Sequence, residues 1–177
     1  NGYAAATGNT PVINTMLWNK IPYSDVRKGW WVDENLESPL LDGLKWPGFD
    51  DVANADDGGD AKLPFLPYTN VKFGCNTVGT VNNDEDMPLM RVEEMILIQA
   101  ECQARLGQND QAVATLNNFV KANRDPQYDV NARGLSLLDE IWFQRRVELW
   151  GEGFYVSDMR RLNKPLVRFL GTAESSN

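Results

Sequence analysis

Residues 88–127 read PLMRVEEMILIQAECQARLGQNDQAVATLNNFVKANRDPQ, and residues 135–162 read LSLLDEIWFQRRVELWGEGFYVSDMRRL. The first stretch carries a helical period. Val92, Ile96 and Ala100 fall on one stripe, and Met95, Ile98, Cys102 and Leu106 on another. A helix apolar on two stripes is expected to be covered by neighbours on both. Gly107 fits the position just past a helix end, and Asn109 or Asp110 fits the next N-cap. Ala112, Val113, Leu116, Phe119 and Val120 trace a second helix. The turn between the two is so short that they must run antiparallel.

The spacing goes beyond amphipathicity. Ala100, Gly107, Ala112 and Leu116 fall at the offsets of one tetratricopeptide repeat, with Ile96 at the bulky first-helix position. Small residues let the backbones approach, and Leu116 fills the gap above them. Phe119 and Arg124 depart from that pattern. Any helical hairpin is the plainer alternative. A lone repeat does not bury its own faces, so neighbours must come from the third helix or from chain not present.

The third helix starts at Ser136, with Asp139 placed to reach back to it. Leu138, Ile141, Trp142, Leu149 and in part Val147 are its expected buried face. Gly151 and Gly153 end it, and a short amphipathic piece, 154–162, follows. Arg145, Glu148 and Glu152 are spaced three and four apart, as if lining one helical edge. Asp158, Arg160 and Arg161 come soon after. The expectation is a structural network of Arg–carboxylate pairs among Arg145, Glu148, Glu152, Asp158 and Arg161. The functional alternative is a pair of catalytic acids, Glu148 with Glu152 or Asp158, as a glycosidase requires. The nearby arginines would lower their pKa values and spoil a general acid.

Upstream, residues 1–86 are loop-rich and aromatic, with short helices or strands, mounted on a helical region, 87–177, in what is expected to be one structural unit. VINTMLW suits a strand or one helical turn, Ser24 or Asp25 suits a cap for a short helix, and Tyr68 to Phe73 suits a strand. Asp50, Asp51, Asp56, Asp57 and Asp60 fail the spacing of a calcium-binding EF-hand loop, so a solvated loop is expected.

The 177 residues are 42% hydrophobic and 24% charged, the profile of a globular chain, and the formal charge is −8. No basic face for nucleic acid is apparent. An acidic surface disfavours anionic partners and is neutral toward uncharged sugars. With no histidine in the sequence, Ser-His-Asp and Cys-His catalysis are excluded within the chain, as is imidazole-bound zinc. Cys75 and Cys102 are expected as thiols rather than a disulfide. No apolar run is long enough to cross a bilayer.

The two quoted stretches strongly resemble the SusD/RagB family of outer-membrane nutrient-binding lipoproteins of Bacteroidetes. The residues that carry the resemblance are Arg91, Glu93, Glu94, Ala100, Glu101, Gly107, Ala112 and Asn117, then Arg145, Arg146, Glu148, Leu149, Glu152, Gly153, Phe154, Asp158 and Arg161. Tyr23-Ser24-Asp25-Val26-Arg27 also looks like the family's S/T-D-x-R segment. The resemblance implies a mainly α fold, a tetratricopeptide-like hairpin with further packed helices. It implies a binder rather than an enzyme, without cofactor or metal, taking oligosaccharide or other nutrients for a SusC-like TonB-dependent transporter. It further implies a surface-exposed outer-membrane protein, attached through an N-terminal lipid anchor that lies outside this chain, so that the chain is the C-terminal part of something longer. Its ligand site would be built mainly from loops. Sugars offer apolar C–H faces to aromatic rings and hydroxyls to polar groups. Trp30, Trp31, Trp46, Tyr68 and Asn70 are the candidate ligand residues on that chemistry, with Trp46, beside Pro47-Gly48 in a turn-rich stretch, expected as the exposed stacker. The competing function is a repeat scaffold that binds a protein or peptide.

Overall fold

A computed structural model describes residues 11–41, 66–73 and 89–166. Trp46, Cys75, Gly74 and the acidic stretch from Asp50 to Asp60 lie outside the described residues. The described chain is mainly helical. Its helices are α1 (Thr15–Trp18), α2 (Val92–Arg105), α3 (Asn109–Asn123), α4 (Leu137–Glu148) and α5 (Tyr155–Arg161). Short 3-10 turns lie between them at Val26–Trp30, Pro39–Leu41 and Val130–Ala132. Among the described residues no helix is long and apolar enough to cross a membrane.

The α2–α3 hairpin forms as the spacing predicts. Gly107 takes φ +75°, the left-handed conformation that ends α2. Its N–H donates to the Ala104 carbonyl at 3.1 Å, and the Gln108 N–H donates to Gln103 at 2.9 Å. These two bonds make a Schellman motif. The N-cap of α3 is Gln108, one residue before Asn109 and two before Asp110, and its side chain makes no capping bond. The Schellman turn has already fixed where the chain re-enters a helix.

Small Ala100 and Ala112 are fully buried, as is Leu116 above them. With Leu97, Phe119, Val120, Tyr128, Val130 and Ile141 of α4, Ala100 and Leu116 form one hydrophobic core. The second α2 stripe is not covered. Met95, Ile98, Cys102 and Leu106 are exposed among the described residues, because α3 and α4 both pack on the Leu97–Ala100 side. Val92, placed on the buried stripe by its period, is exposed too.

Ser136 caps α4, its Oγ accepting from the Asp139 N–H. The Asp139 carboxylate accepts from the Ser136 hydroxyl and pairs with Lys164, rather than reaching the Ser136 backbone N–H. Ile141, Phe143, Val147 and Leu149 are buried, whereas Leu138 is exposed and Trp142 half-buried. Three of the five expected positions, Ile141, Val147 and Leu149, are therefore buried, and Phe143 is buried in place of Leu138 and Trp142 because a second core claims it.

That second core comes from upstream. Ile13, Leu17, Trp18, Ile21 and Trp31 pack on Phe143 and Val147, with Trp30, Tyr68 and Trp150 at the edge. Asn14 caps α1 by accepting from the Met16 N–H at 2.8 Å. Asp25 caps the next 3-10 turn by accepting from the Arg27 N–H at 2.9 Å. Among the described residues the stretch expected as a strand makes isolated antiparallel bridges, Val12 with Thr69 and Trp31 with Asn70. Tyr68, at its start, takes a positive φ, so the extended backbone does not run back past Thr69.

Candidate functional site

Two polar features meet the aromatic core: a charge network beneath it and a ring cluster at its surface. The network centres on Glu148, the last residue of α4, which is 0% exposed. Arg27 donates to its Oε2 at 3.2 Å, Arg91 to its Oε1 at 3.1 Å, and Arg124 to both oxygens at 2.9 Å. Its backbone carbonyl accepts from Lys72 at 2.7 Å and Arg91 at 2.8 Å. Burial pushes the Glu148 carboxyl up, but the guanidinium groups of Arg124, Arg27 and Arg91 outweigh it, and the pKa lies below the usual carboxylate range.

Glu152 lies beyond the end of α4, so Arg145, Glu148 and Glu152 do not share one helical edge as their spacing suggested. Gly151 and Gly153, both at positive φ, turn the chain between them. Glu152 instead meets Arg91 at 2.8 Å and Lys72. Arg145 pairs with Asp158 at 2.9 Å, and Arg161 pairs with Asp158 at 2.7 Å and with Glu101 of α2. The named residues therefore divide into two groups, one around Glu148 and one around Asp158. Arg27, Arg91, Arg124 and Lys72 are partners that sequence spacing did not bring to Glu148, since each is far away along the chain.

Among the candidate ligand residues, Trp31 is 1% exposed and Asn70 4%. Trp31 makes an edge contact with Trp150 at 5.3 Å and lies 6.2 Å from Trp30. The Asn70 side chain accepts from the Lys72 N–H. Both are spent on packing and offer no surface to a ligand. Trp30 is half-buried, with Lys72 and Arg124 over its ring at 4.8 and 5.7 Å.

Tyr68 is different. It is half-buried and sits at φ +68°. That region is uncommon for a bulky residue and costs about 1–3 kcal/mol. Neighbouring chain holds it there: the Ile13 N–H donates to its carbonyl at 3.1 Å, and its own N–H donates to Val32 at 3.0 Å. The ring meets the edge of Trp18 at 5.1 Å. Burial raises the Tyr68 phenol pKa, and the charges of Glu34 and Asp33 add to the rise.

Tyr23 completes the cluster. It is 87% exposed, and its ring lies 6.5 Å from Trp18, nearly perpendicular. Lys28 sits 3.8 Å from the Trp18 ring centre and 4.4 Å from that of Tyr23. Its ammonium donates to the carbonyls of Trp18 and Ile21, and desolvation lowers its pKa against the pull of Glu34 and Asp25. Trp18, Tyr23 and Lys28 were not anticipated from sequence. The available signal was Pro22 before Tyr23: the Asp25 N–H bonds back to Pro22, and this tight turn turns the intervening ring outward.

The cluster thus offers two tyrosines braced on one tryptophan, beside Lys28 and the carboxylates of Asp33 and Glu34. Such a surface suits a ligand with apolar faces and hydroxyl edges. Among the described residues no group of His, Cys, Asp and Glu is arranged to hold a metal ion.

The family model described as the SusD family matches residues 63–175. The chain belongs to the SusD family. The matched segment includes Tyr68, Asn70, the α2–α3 hairpin, Glu148 and Asp158. Tyr23, Trp30 and Trp31 precede it. Among solved structures, the crystal structure of a SusD-like carbohydrate binding protein from Bacteroides vulgatus ATCC 8482 is similar, at 28% identity and a TM-score of 0.61. That likeness covers 89% of this chain and 29% of the relative, so the chain spans under a third of the relative's length. No curated protein matches the chain. SusD membership accords with the mainly helical fold described above.

Proposed function

We propose that this protein captures oligosaccharide or polysaccharide at the bacterial cell surface and passes it, unaltered, to a SusC-like TonB-dependent transporter. Family membership and a solved relative that binds carbohydrate support the ligand class. The transporter, the outer-membrane location and the lipid anchor follow from the resemblance alone. The observation that carries the reading is Tyr68, held at positive φ against Trp18, whose ring also meets exposed Tyr23. Backbone strain kept in place by surrounding hydrogen bonds concentrates at ligand sites. We place the sugar-stacking surface on Tyr23 and Tyr68, with Trp30 at its margin and Trp31 and Asn70 beneath.

The state of Glu148 supports binding without turnover. A general acid needs a raised pKa and access to substrate. Glu148 is sealed and held ionised by three arginines. Asp158 is buried between Arg145 and Arg161.

Isothermal titration of the protein against a panel of polysaccharides tests the proposal. Micromolar to millimolar binding with no product ladder on chromatography is the expected result. Hydrolysis that disappears in Glu148→Gln, with the fold intact, would overturn the non-catalytic part. One observation favours a second reading: the exposed α2 stripe of Met95, Ile98 and Leu106 suits a peptide or protein partner. Peptide affinity without sugar affinity would favour it.

A further inference from the structure

Arg146 departs from the pattern of the other arginines in and around the interior. Arg27, Arg91, Arg124, Arg133, Arg145 and Arg161 each hold at least one carboxylate. Arg146 is half-buried, and its guanidinium holds none among the described residues. Its Nε is buried without a hydrogen-bond partner. It lies 4.8 Å from the ring centre of Trp142 and 5.5 Å from that of Tyr155. The Trp142 Nε1 is likewise buried and unpartnered. Desolvation lowers the Arg146 pKa, opposed only by Tyr155. A half-buried cation with unused donors is costly to keep unless something anionic completes it.

The surroundings narrow what that is. Leu138, Trp142 and Arg146 recur every four residues along one face of α4, and Tyr155 closes in from α5. Tyr155 is 40% exposed, so ring surface lies beside the guanidinium. Lys164 sits 5.2 Å from the Trp142 ring and pairs with Asp139. Nearby Asp158 is already held by Arg145 and Arg161. A planar guanidinium fork beside an aromatic edge fits a sugar ring that carries a carboxylate or sulfate.

We propose that Arg146, flanked by Trp142 and Tyr155, is a subsite for an acidic sugar, such as a uronate, within the ligands this protein takes. The inference rests on the carbohydrate-binding reading above. The net charge of −8 opposes an anion at long range. At physiological ionic strength that repulsion is screened beyond about 8 Å, whereas a contact pair is not. The cationic patch is therefore a local exception to the acidic surface.

The test is titration of the protein with three oligosaccharides of equal length: neutral, oligogalacturonate and sulfated. Preference for at least one acidic probe is expected, lost by about tenfold or more in Arg146→Gln and in part regained in Arg146→Lys. The two acidic arms tell carboxylate from sulfate. The Arg146 side-chain Nε–H resonance of the unmutated protein gives a second readout, independent of any variant's folding; it is expected to shift with the acidic probe only. Acidic affinity unchanged in Arg146→Gln overturns the subsite, as does an unshifted resonance. Polyglutamate binding at Arg146 as tightly as the glycan also overturns it and assigns the site to a protein carboxylate. Neutral-sugar binding with no acidic preference removes the subsite alone, while absence of all glycan binding removes the function proposed above.

Discussion

Arg124 grips Glu148 through both carboxylate oxygens, with Nε 2.9 Å from Oε2 and Nη2 2.9 Å from Oε1. Arg124 is the C-cap of α3, Arg91 the N-cap of α2, and Glu148 ends α4. Arg27 brings in the 3-10 turn that carries the upstream aromatic core. One carboxylate therefore ties the ends of three helices to the platform that bears Tyr23 and Tyr68. Around it Arg27, Arg91, Arg124 and Lys72 face Glu148, Glu152, Glu93 and Asp25, so the four positive and four negative charges of the hub balance.

Glu148→Gln should destabilise the protein by about 3–5 kcal/mol, because it removes the one buried carboxylate that Arg27, Arg91 and Arg124 share and leaves the hub with excess positive charge. Urea denaturation monitored by tryptophan fluorescence measures the change. A loss below about 1 kcal/mol would mean that the arginines find other partners and that the hub is dispensable.

Acid should act through the same carboxylates. Burial raises the Glu148 pKa, but Arg124, Arg27 and Arg91 hold it below the ordinary value. For Glu101, burial is likewise outweighed by Arg161 and Arg105. A carboxyl whose folded pKa lies below its unfolded value of about 4.3 stabilises the fold above that pH. The contribution is lost as pH falls below it toward the folded pKa. The urea midpoint should thus stay level near neutrality and drop below about pH 4.5, less steeply in Glu148→Gln. A midpoint unchanged down to pH 3 would contradict this account.

Two glycines should differ in what an added methyl group costs. At Gly107, φ is +75°, but among the described residues beyond its own neighbours no atom lies within 4 Å of where a Cβ would sit. Gly107→Ala should lose about 1–2 kcal/mol, the strain of a left-handed backbone. At Gly151, φ is +79° and the Cβ would lie 2.6 Å from Phe73 Cε2. Gly151→Ala adds displacement of that ring, about 1–3 kcal/mol more. Thermal melts should rank Gly151→Ala as the more damaging, and the reverse order would show that Phe73 gives way freely.

The hairpin was legible because its determinants are local. Ala100, Gly107, Ala112 and Leu116 lie within two adjacent helices, and one glycine conformation sets the turn between them. Which α2 stripe is covered was not legible, since Met95 and Leu97 are equally apolar and only the placement of α3 and α4 separates them. The Glu148 hub was hidden for a related reason. Its arginines lie 121, 57 and 24 residues away, whereas spacing on one helix pointed to Arg145. Hydropathy likewise cannot separate Trp31 from Tyr23. One is sealed by Trp150 from beyond α4, and the other is turned outward by a proline-led bend.

That last contrast gives the sharpest test of where a ligand sits. Trp31 is in the aromatic core, so Trp31→Ala should cost about 3–5 kcal/mol and lower any binding through unfolding. Among the described residues Tyr23 meets the core through Trp18 and Lys28. Tyr23→Ala should cost about 1 kcal/mol, the order of one exposed cation–π contact. If sugars stack on Tyr23, its loss should weaken affinity by about tenfold, equivalent to roughly 1.4 kcal/mol, with the melting curve barely moved. Calorimetric titration of a glycan that binds the unmutated protein, alongside the melt of each variant, separates the two effects. Full affinity in Tyr23→Ala would move the stacking surface away from the Trp18 cluster, whatever the stability of the Trp31 variant.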